Sequence, residues 1–461
     1  MILGIRESLH KSLKRGLLGL LIVGFLGCQS LENYEADLNQ VTDSARVGDI
    51  SRALKIHDEV NDGKNDLLYL LESGELSLLS GHDREALDFW LEANKKVMQW
   101  ESRARLEPRL LAEDLGSIVV NDKVRTYQGY DFEKVMLTCR IALSHLLAGD
   151  LESSRVAIKA SHERESLISK FREEQMTLIN REENQSQLKI EDLNGYPIET
   201  LEHDSVNSLR NSYQNAFAHY LAGFIYEQLN ELSLAAPGYR NAIELKPNEI
   251  MLRDGLKSLE KRVERKPQDG FTDLLVIFEQ DYVPSKTSIE LFATFDDGDG
   301  SIQVPFSFPV YGEYQPVKVS EVLMDGVPLL FSPSVIDFDA MARRALRDEI
   351  PAILARSGLR TGLKVTLQSV AREVDDTGLV SEILGLGSII SESADDRSWR
   401  MLPRHIGLVR ELVPYGTRVL EFEAGGGQYR DTIEIVAESR AMVLFVRRIG
   451  PTFYFSKVSF K

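Results

Sequence analysis

Between Asp395 and Trp399 the chain places two carboxylates, a guanidinium and an indole within five residues, in the order Asp395-Asp396-Arg397-Ser398-Trp399. Such a set could grip a ligand, Arg397 clamping a carboxylate or phosphate through parallel N–H donors while Trp399 stacks on a sugar or side chain. The favoured reading is structural: Arg397 pairs with Asp395 across a loop and Trp399 plugs a core. Asp296-Asp297-Gly298-Asp299-Gly300 offers oxygen ligands but lacks the alternate spacing and distal glutamate of an EF-hand loop, and reads as a hairpin turn. Gly385-Leu386-Gly387-Ser388 lacks the third glycine of a dinucleotide fingerprint. His405 is the one histidine beyond residue 266, so a hydrolytic triad in that half would depend on it alone. No nucleophile elbow, paired-histidine zinc motif or phosphate loop occurs, so neither catalytic residues nor a cofactor or metal are expected. A glycosidase built on carboxylates alone leaves no mark in so acidic a sequence and stays open.

A second kind of chemistry belongs to the first 28 residues. Lys11, Lys14 and Arg15 precede an apolar run from Gly16 to Gly27, 12 residues long and well short of the about 20 that a spanning helix needs. The run ends in Phe25-Leu26-Gly27-Cys28, which resembles the bacterial lipobox. That resemblance implies removal of residues 1–27, acylation of Cys28, and a membrane contact made through the acyl chains. Gln29 stands where such lipoproteins carry aspartate for inner-membrane retention, so the resemblance points to the outer membrane, facing the periplasm. The chain has two cysteines. With Cys28 acylated, Cys139 is left alone within an apolar helical pattern, as a buried structural thiol.

Charge narrows the partners. The signal carries a net of +3, so the formal charge of −17 becomes −20 once it is removed. Nucleic acid is excluded as a partner, because phosphate neutralisation needs a positive surface.

These groups must be positioned by two different kinds of structure. Between Ala216 and Asn248, residues His219, Ala222, Gly223, Tyr226, Ala235, Tyr239, Ala242 and Pro247 fall where the tetratricopeptide repeat has its aromatic, Leu, Gly, Tyr, Ala, aromatic, Ala and Pro. Small residues let two antiparallel helices approach while the tyrosines fill the gap. Glycine turns upstream keep register: Gly48 and Gly81 are 33 residues apart, and Gly81 and Gly149 are 68 apart, twice the repeat length. Residues 28–266 are therefore expected to form a helical solenoid, with a charged helical insertion at about 161–205 and a loop over 101–131. Its partner is expected to be a protein, with Tyr69, Tyr213 and Asn215 as contact residues on an exposed face.

After Pro267 the periodicity becomes alternating, and residues 267–461 read as a β-rich, sandwich-like domain with one inserted helix at about 337–357. Strands are expected over Thr272–Glu279, Ser288–Thr294, Ile302–Phe308, Pro316–Met324, Arg418–Glu423, Asp431–Val436, Ala441–Arg447 and Phe453–Val458. The fold class is thus α+β, an amino-terminal helical solenoid followed by a β-rich domain. Phe278–Lys286 and Ala394–Pro403 look more than structural. Together with Tyr130–Val135 and the helix to Gly149-Asp150, they resemble an uncharacterised family of proteobacterial envelope lipoproteins with a repeat-containing front half and a β-rich back half. The resemblance implies a place in cell-envelope assembly or maintenance. A cell-wall glycan bound or cleaved by the β-rich half, with Asp395, Asp396, Arg397 and Trp399 as contacts, is the alternative.

Overall fold

In the computed structural model, described at residues 34–61, 63, 65–107, 126–182, 195–264, 270–296, 301–350, 353, 394–424, 427–436 and 439–461, the helical half rests on one recurring local geometry. Helices α1 (Tyr34–Arg46) and α2 (Ile50–Asn61), α3 (Leu67–Leu79) and α4 (Asp83–Leu106), α5 (Asp131–Leu147) and α6 (Leu151–Glu182), and α7 (Ala216–Gln228) and α8 (Leu232–Leu245) pack as successive pairs. Each pair turns on one left-handed residue, Gly48, Gly81, Gly149 or Asn230, with φ of +86°, +77°, +79° and +61°. Glycine and asparagine are the residue types that adopt this conformation at a helix end most readily.

The packing around each turn repeats as well. Seven residues before the turn stand Val41, Gly74, Ala142 and Gly223; five residues after it stand Ala53, Ala86, Ser154 and Ala235; nine after it stand His57, Trp90, Ile158 and Tyr239, all of them buried. A Cβ on Gly74 would lie 2.2 Å from the Trp90 indole, and one on Gly223 would lie 2.7 Å from the Tyr239 ring. In the third pair Ser154 donates its hydroxyl to the Ala142 carbonyl at 2.7 Å, so the helices again meet at small residues. Beyond α8, α9 (Ile250–Lys257) and α10 (Leu259–Glu264) lead to the first strand.

The strands form three sheets. A five-stranded sheet has the order β11 (Thr452–Phe460), β10 (Ala441–Ile449), β1 (Phe271–Gln280), β7 (His405–Pro414), β6 (Phe331–Asp337). A four-stranded sheet has the order β5 (Val327–Pro328), β4 (Val319–Met324), β8 (Gly416–Ala424), β9 (Gly427–Ile435), and β2 (Lys286–Asp296) pairs only with β3 (Ser301–Tyr311) among the described residues. Helix α11 (338–350) follows β6 and is capped by Asp337, whose carboxylate accepts the Ala340 amide at 2.9 Å.

The five-stranded sheet is the middle layer. Along β1, Leu275 and Ile277 join the core built with the helices, whereas Leu274, Val276 and Phe278 join the core shared with the four-stranded sheet. This helix–sheet–sheet arrangement gives the α+β fold class. The helical core is continuous with the sheet core: Trp90, Phe132 and Tyr220 belong to the same cluster as Leu275, Leu408 and Phe445.

The β-rich half differs from the simple succession of expected strands in two respects. The last four expected strands do not share one sheet: β10, parallel to β1, and β11 belong to the five-stranded sheet, while β8 and β9 belong to the other. Strands β6 and β7 went unread. Buried on both faces, β7 places Ile406 and Leu408 toward the helices and Val409 and Val413 toward the second sheet, so its sequence does not alternate.

Candidate functional site

Three segments that carry the family resemblance in the sequence meet at one place. The start of α5 supplies Tyr130 and Glu133, the start of β2 supplies Lys286, and the chain returning at Ala394 supplies Asp395 to Trp399; the Ala394 amide donates to Ser288 Oγ at 3.4 Å. Glu133 is the hub. It accepts the Tyr127 hydroxyl at 2.5 Å and the Tyr130 amide at 2.9 Å on Oε2, and the Trp399 amide at 2.7 Å on Oε1. Burial pushes its carboxyl above the usual range against these three donors. Lys286, 1% exposed, donates to the Tyr130 hydroxyl and lies 4.7 Å from the centre of that ring.

The guanidinium of Arg397 is held by Asp395 through two bonds of 2.8 Å and lies 5.5 Å from the Tyr127 ring centre. Burial opposes ionisation of Asp395, but Arg397 and Lys286 outweigh it and hold the carboxyl below its usual range. Asp396 is buried, and Trp399 has no exposed surface. A sugar cannot stack on Trp399 as the chain is folded, so that residue is corrected from ligand contact to core. Arg397 and Asp395, half-buried, keep a solvent-facing edge, with the guanidinium fork already occupied. The arrangement fixes a loop: Lys286 and Arg397 face Asp395 and Glu133 in a charge-balanced set.

His405 has both acid and hydroxyl neighbours without forming a triad. Ser334 Oγ at 3.2 Å and Asp337 Oδ1 at 3.7 Å approach the same ring nitrogen, Nδ1, while Nε2 lies 3.3 Å from the Gln315 carbonyl. A relay needs the hydroxyl and the carboxylate on opposite nitrogens. Burial also lowers the pKa of this imidazole, against the pull of Asp337. Cys139 is fully buried, and burial pushes its thiol up, out of the nucleophilic range.

The three residues expected on a protein-binding face separate. Tyr69 is half-buried, stacks on His57 with ring centres 5.0 Å apart, and reaches Asp58 with its hydroxyl at 3.3 Å. Tyr213 is half-buried in the loop before α7. Asn215 has no exposed surface: its side chain caps α7 by accepting the Ala218 amide at 2.9 Å, and its own amide donates to Glu165 at 3.0 Å. It is therefore corrected from surface contact to helix cap. Cys28, Asp297 to Gly300 and Gly385 to Ser388 lie outside the described residues.

A buried ionic network escaped the sequence reading. Arg140 on α5 donates to Glu75 on α3 at 2.7 and 3.0 Å and to Glu279 on β1 at 2.5 and 2.9 Å. Arg447 on β10 donates to the same Glu279 at 2.8 Å and to the Met401 carbonyl at 2.7 Å. Glu72, one turn before Glu75, accepts the amides of Arg400 and Met401 at 2.6 and 3.0 Å. Consecutive amides 399 to 401 are thus received by carboxylates from α5 and α3. The available signal was charge at apolar-phase positions, Glu72 and Glu75 within the leucine-rich α3 and Glu279 closing an apolar strand.

The chain matches no family model and no curated protein sequence. Among the described residues no helix is long and apolar enough to cross a membrane, and no group of acidic, histidine and cysteine side chains is placed to hold a metal ion.

Proposed function

We propose that the chain is a non-catalytic adaptor of the bacterial cell envelope, lipid-anchored through Cys28 at the outer membrane and facing the periplasm, whose tetratricopeptide-like helix pairs hold a protein partner. The observation that carries this reading is the fourfold recurrence of one turn geometry with small and bulky residues at fixed offsets, since stacked helix pairs present extended surfaces that bind peptides and helices. The charge-balanced junction around Glu133 supports a scaffold, because its polar groups are spent on holding a loop. Tyr69 and Tyr213 are the proposed contacts. Replacing both with alanine is expected to weaken partner capture from cross-linked envelopes while leaving the melting temperature unchanged; loss of both together would make them core residues.

One observation favours a second reading, in which the β-rich half binds cell-wall glycan. Tyr429, Phe453 and Phe455 form a partly exposed stack where β9 and β11 edge their sheets, with Tyr429 3.9 Å from Phe453 and 5.5 Å from Phe455, centre to centre. Half-exposed rings of this kind suit sugar faces better than the buried Trp399. Sedimentation of the whole chain with insoluble cell wall, reduced in Phe455→Ala, would favour it; no sedimentation of the folded protein would remove it.

A further inference from the structure

The carboxyl ends of β1 and β10 coincide, because the strands are parallel and Gln280 pairs with Arg448. Strand β7 starts at the same end, since Gln280 also pairs with His405, and the Arg404 amide donates to the Gln280 carbonyl at 2.8 Å. Strand β4 starts there too, its Val319 amide donating to Gln280 Oε1 at 3.1 Å. Arg46, the last residue of α1, packs against Gly450, where an added Cβ would lie 2.7 Å from Arg46 Cγ. The topology therefore brings Arg46, Lys318, Arg404 and Arg448, from four separate elements, to one end of the middle sheet.

The acidic residue at their centre is Asp281. It adopts a left-handed φ of +48°, accepts the Gly450 amide at 3.3 Å, and lies 3.4 Å from Lys318 Nζ. Burial opposes its ionisation, but Lys318, the Gly450 amide, Arg404 and Arg448 outweigh burial and hold the carboxyl below its usual range. Arg404 has a second acidic neighbour, Asp339, at 3.9 Å, and that carboxylate already holds Arg343 at 2.6 Å. One nitrogen of Arg448 is buried without a hydrogen-bond partner among the described residues. Lys318 remains 47% exposed along its side chain and Asp281 19%. A partly exposed cluster in which cations outnumber carboxylates, in a chain of net charge −17, calls for an anion. Arginine forks match pairs of phosphate or carboxylate oxygens.

We propose that this end of the sheet binds a phosphate group, free or on a lipid headgroup, through Lys318, Arg404 and Arg448, with Asp281 and the Gly450 amide fixing the rim of the site. The charge count favours phosphate over a single carboxylate: with Asp339 matched by Arg343 and Asp281 by Lys318, Arg404 and Arg448 leave two positive charges for the ligand.

The test titrates the whole chain with inorganic phosphate by calorimetry, at ionic strength held constant with chloride. A parallel arm uses vesicles of phosphatidylglycerol against phosphatidylcholine. Saturable phosphate binding that weakens by about tenfold or more in Lys318→Ala and in Arg448→Met is the expected result. Lys318 is exposed enough that its loss leaves the fold intact, which circular dichroism checks. Lys318-dependent sedimentation with phosphatidylglycerol vesicles alone would assign the phosphate to a lipid. The proposal is overturned if neither arm shows saturable binding, or if Lys318→Ala binds phosphate as the parent does.

Discussion

Arg140 and Glu279, 139 residues apart in the chain, meet through two hydrogen bonds of 2.5 and 2.9 Å with neither side chain exposed. One belongs to the third helix pair and the other to the central strand, so this contact ties the helical half to the sheet at its middle. Glu75 and Arg447 complete the set, two guanidinium groups facing two carboxylates. The helix pairs and the middle sheet are thereby clamped together through one buried contact.

Substituting Arg140 by methionine leaves Glu75 and Glu279 facing each other in the core with one cation fewer. The loss of a buried partner costs about 3–5 kcal/mol in stability. Urea unfolding followed by helix circular dichroism and by tryptophan emission should show one transition, shifted together for both signals, because helices and sheet share a core. Two separated transitions would mean that the halves unfold independently.

Close packing in the helix pairs gives a second expectation. Alanine at Gly223 would place a methyl group 2.7 Å from the Tyr239 ring, and alanine at Gly74 one 2.2 Å from the Trp90 indole. Overpacking of this sort costs about 1–3 kcal/mol. Gly312→Ala, with nothing within 4 Å of the added methyl, should be neutral in the same denaturation series.

Buried Glu72 and half-buried His162 set opposite pH slopes. Burial raises Glu72 to about 8 from 4.5, so the folded chain binds that proton more tightly than the unfolded one. Its contribution is complete below pH 4.5 and is lost as pH rises through 8, with a slope of at most about 1.4 kcal/mol per unit. Burial, with His219 beside it, lowers His162 to about 4 from 6.5; stability from this group is present above pH 6.5 and lost as pH falls through 4. Denaturation midpoints across pH 4 to 9 should lose the first slope in Glu72→Gln and the second in His162→Asn.

Much of the helical half was legible because its determinants are local. Gly223, Ala235 and Tyr239 sit at fixed offsets within one hairpin, and steric fit between two neighbouring helices writes itself into that spacing. Gly74 went unread only because α3 lacked the surrounding consensus, although it stands to Trp90 as Gly223 stands to Tyr239. The middle sheet was less legible. The parallel pairing of β1 with β10 joins residues more than 160 positions apart, and β7 is buried on both faces, so neither register nor alternation marks it. At the junction, residue types alone could not say whether Asp395, Arg397 and Trp399 face solvent or each other. Their own loop, folded over Glu133, turns the indole inward and closes the ion pair.

The proposed anchored adaptor is tested most directly by cross-linking intact cells that produce the protein, purifying it from solubilised envelopes, and identifying what is bound, with Cys28→Ala alongside. A discrete protein partner, present with the parent chain and lost with the folded Cys28→Ala variant, is the predicted result. Wall fragments without a protein partner, or a partner captured equally by the variant, would contradict it.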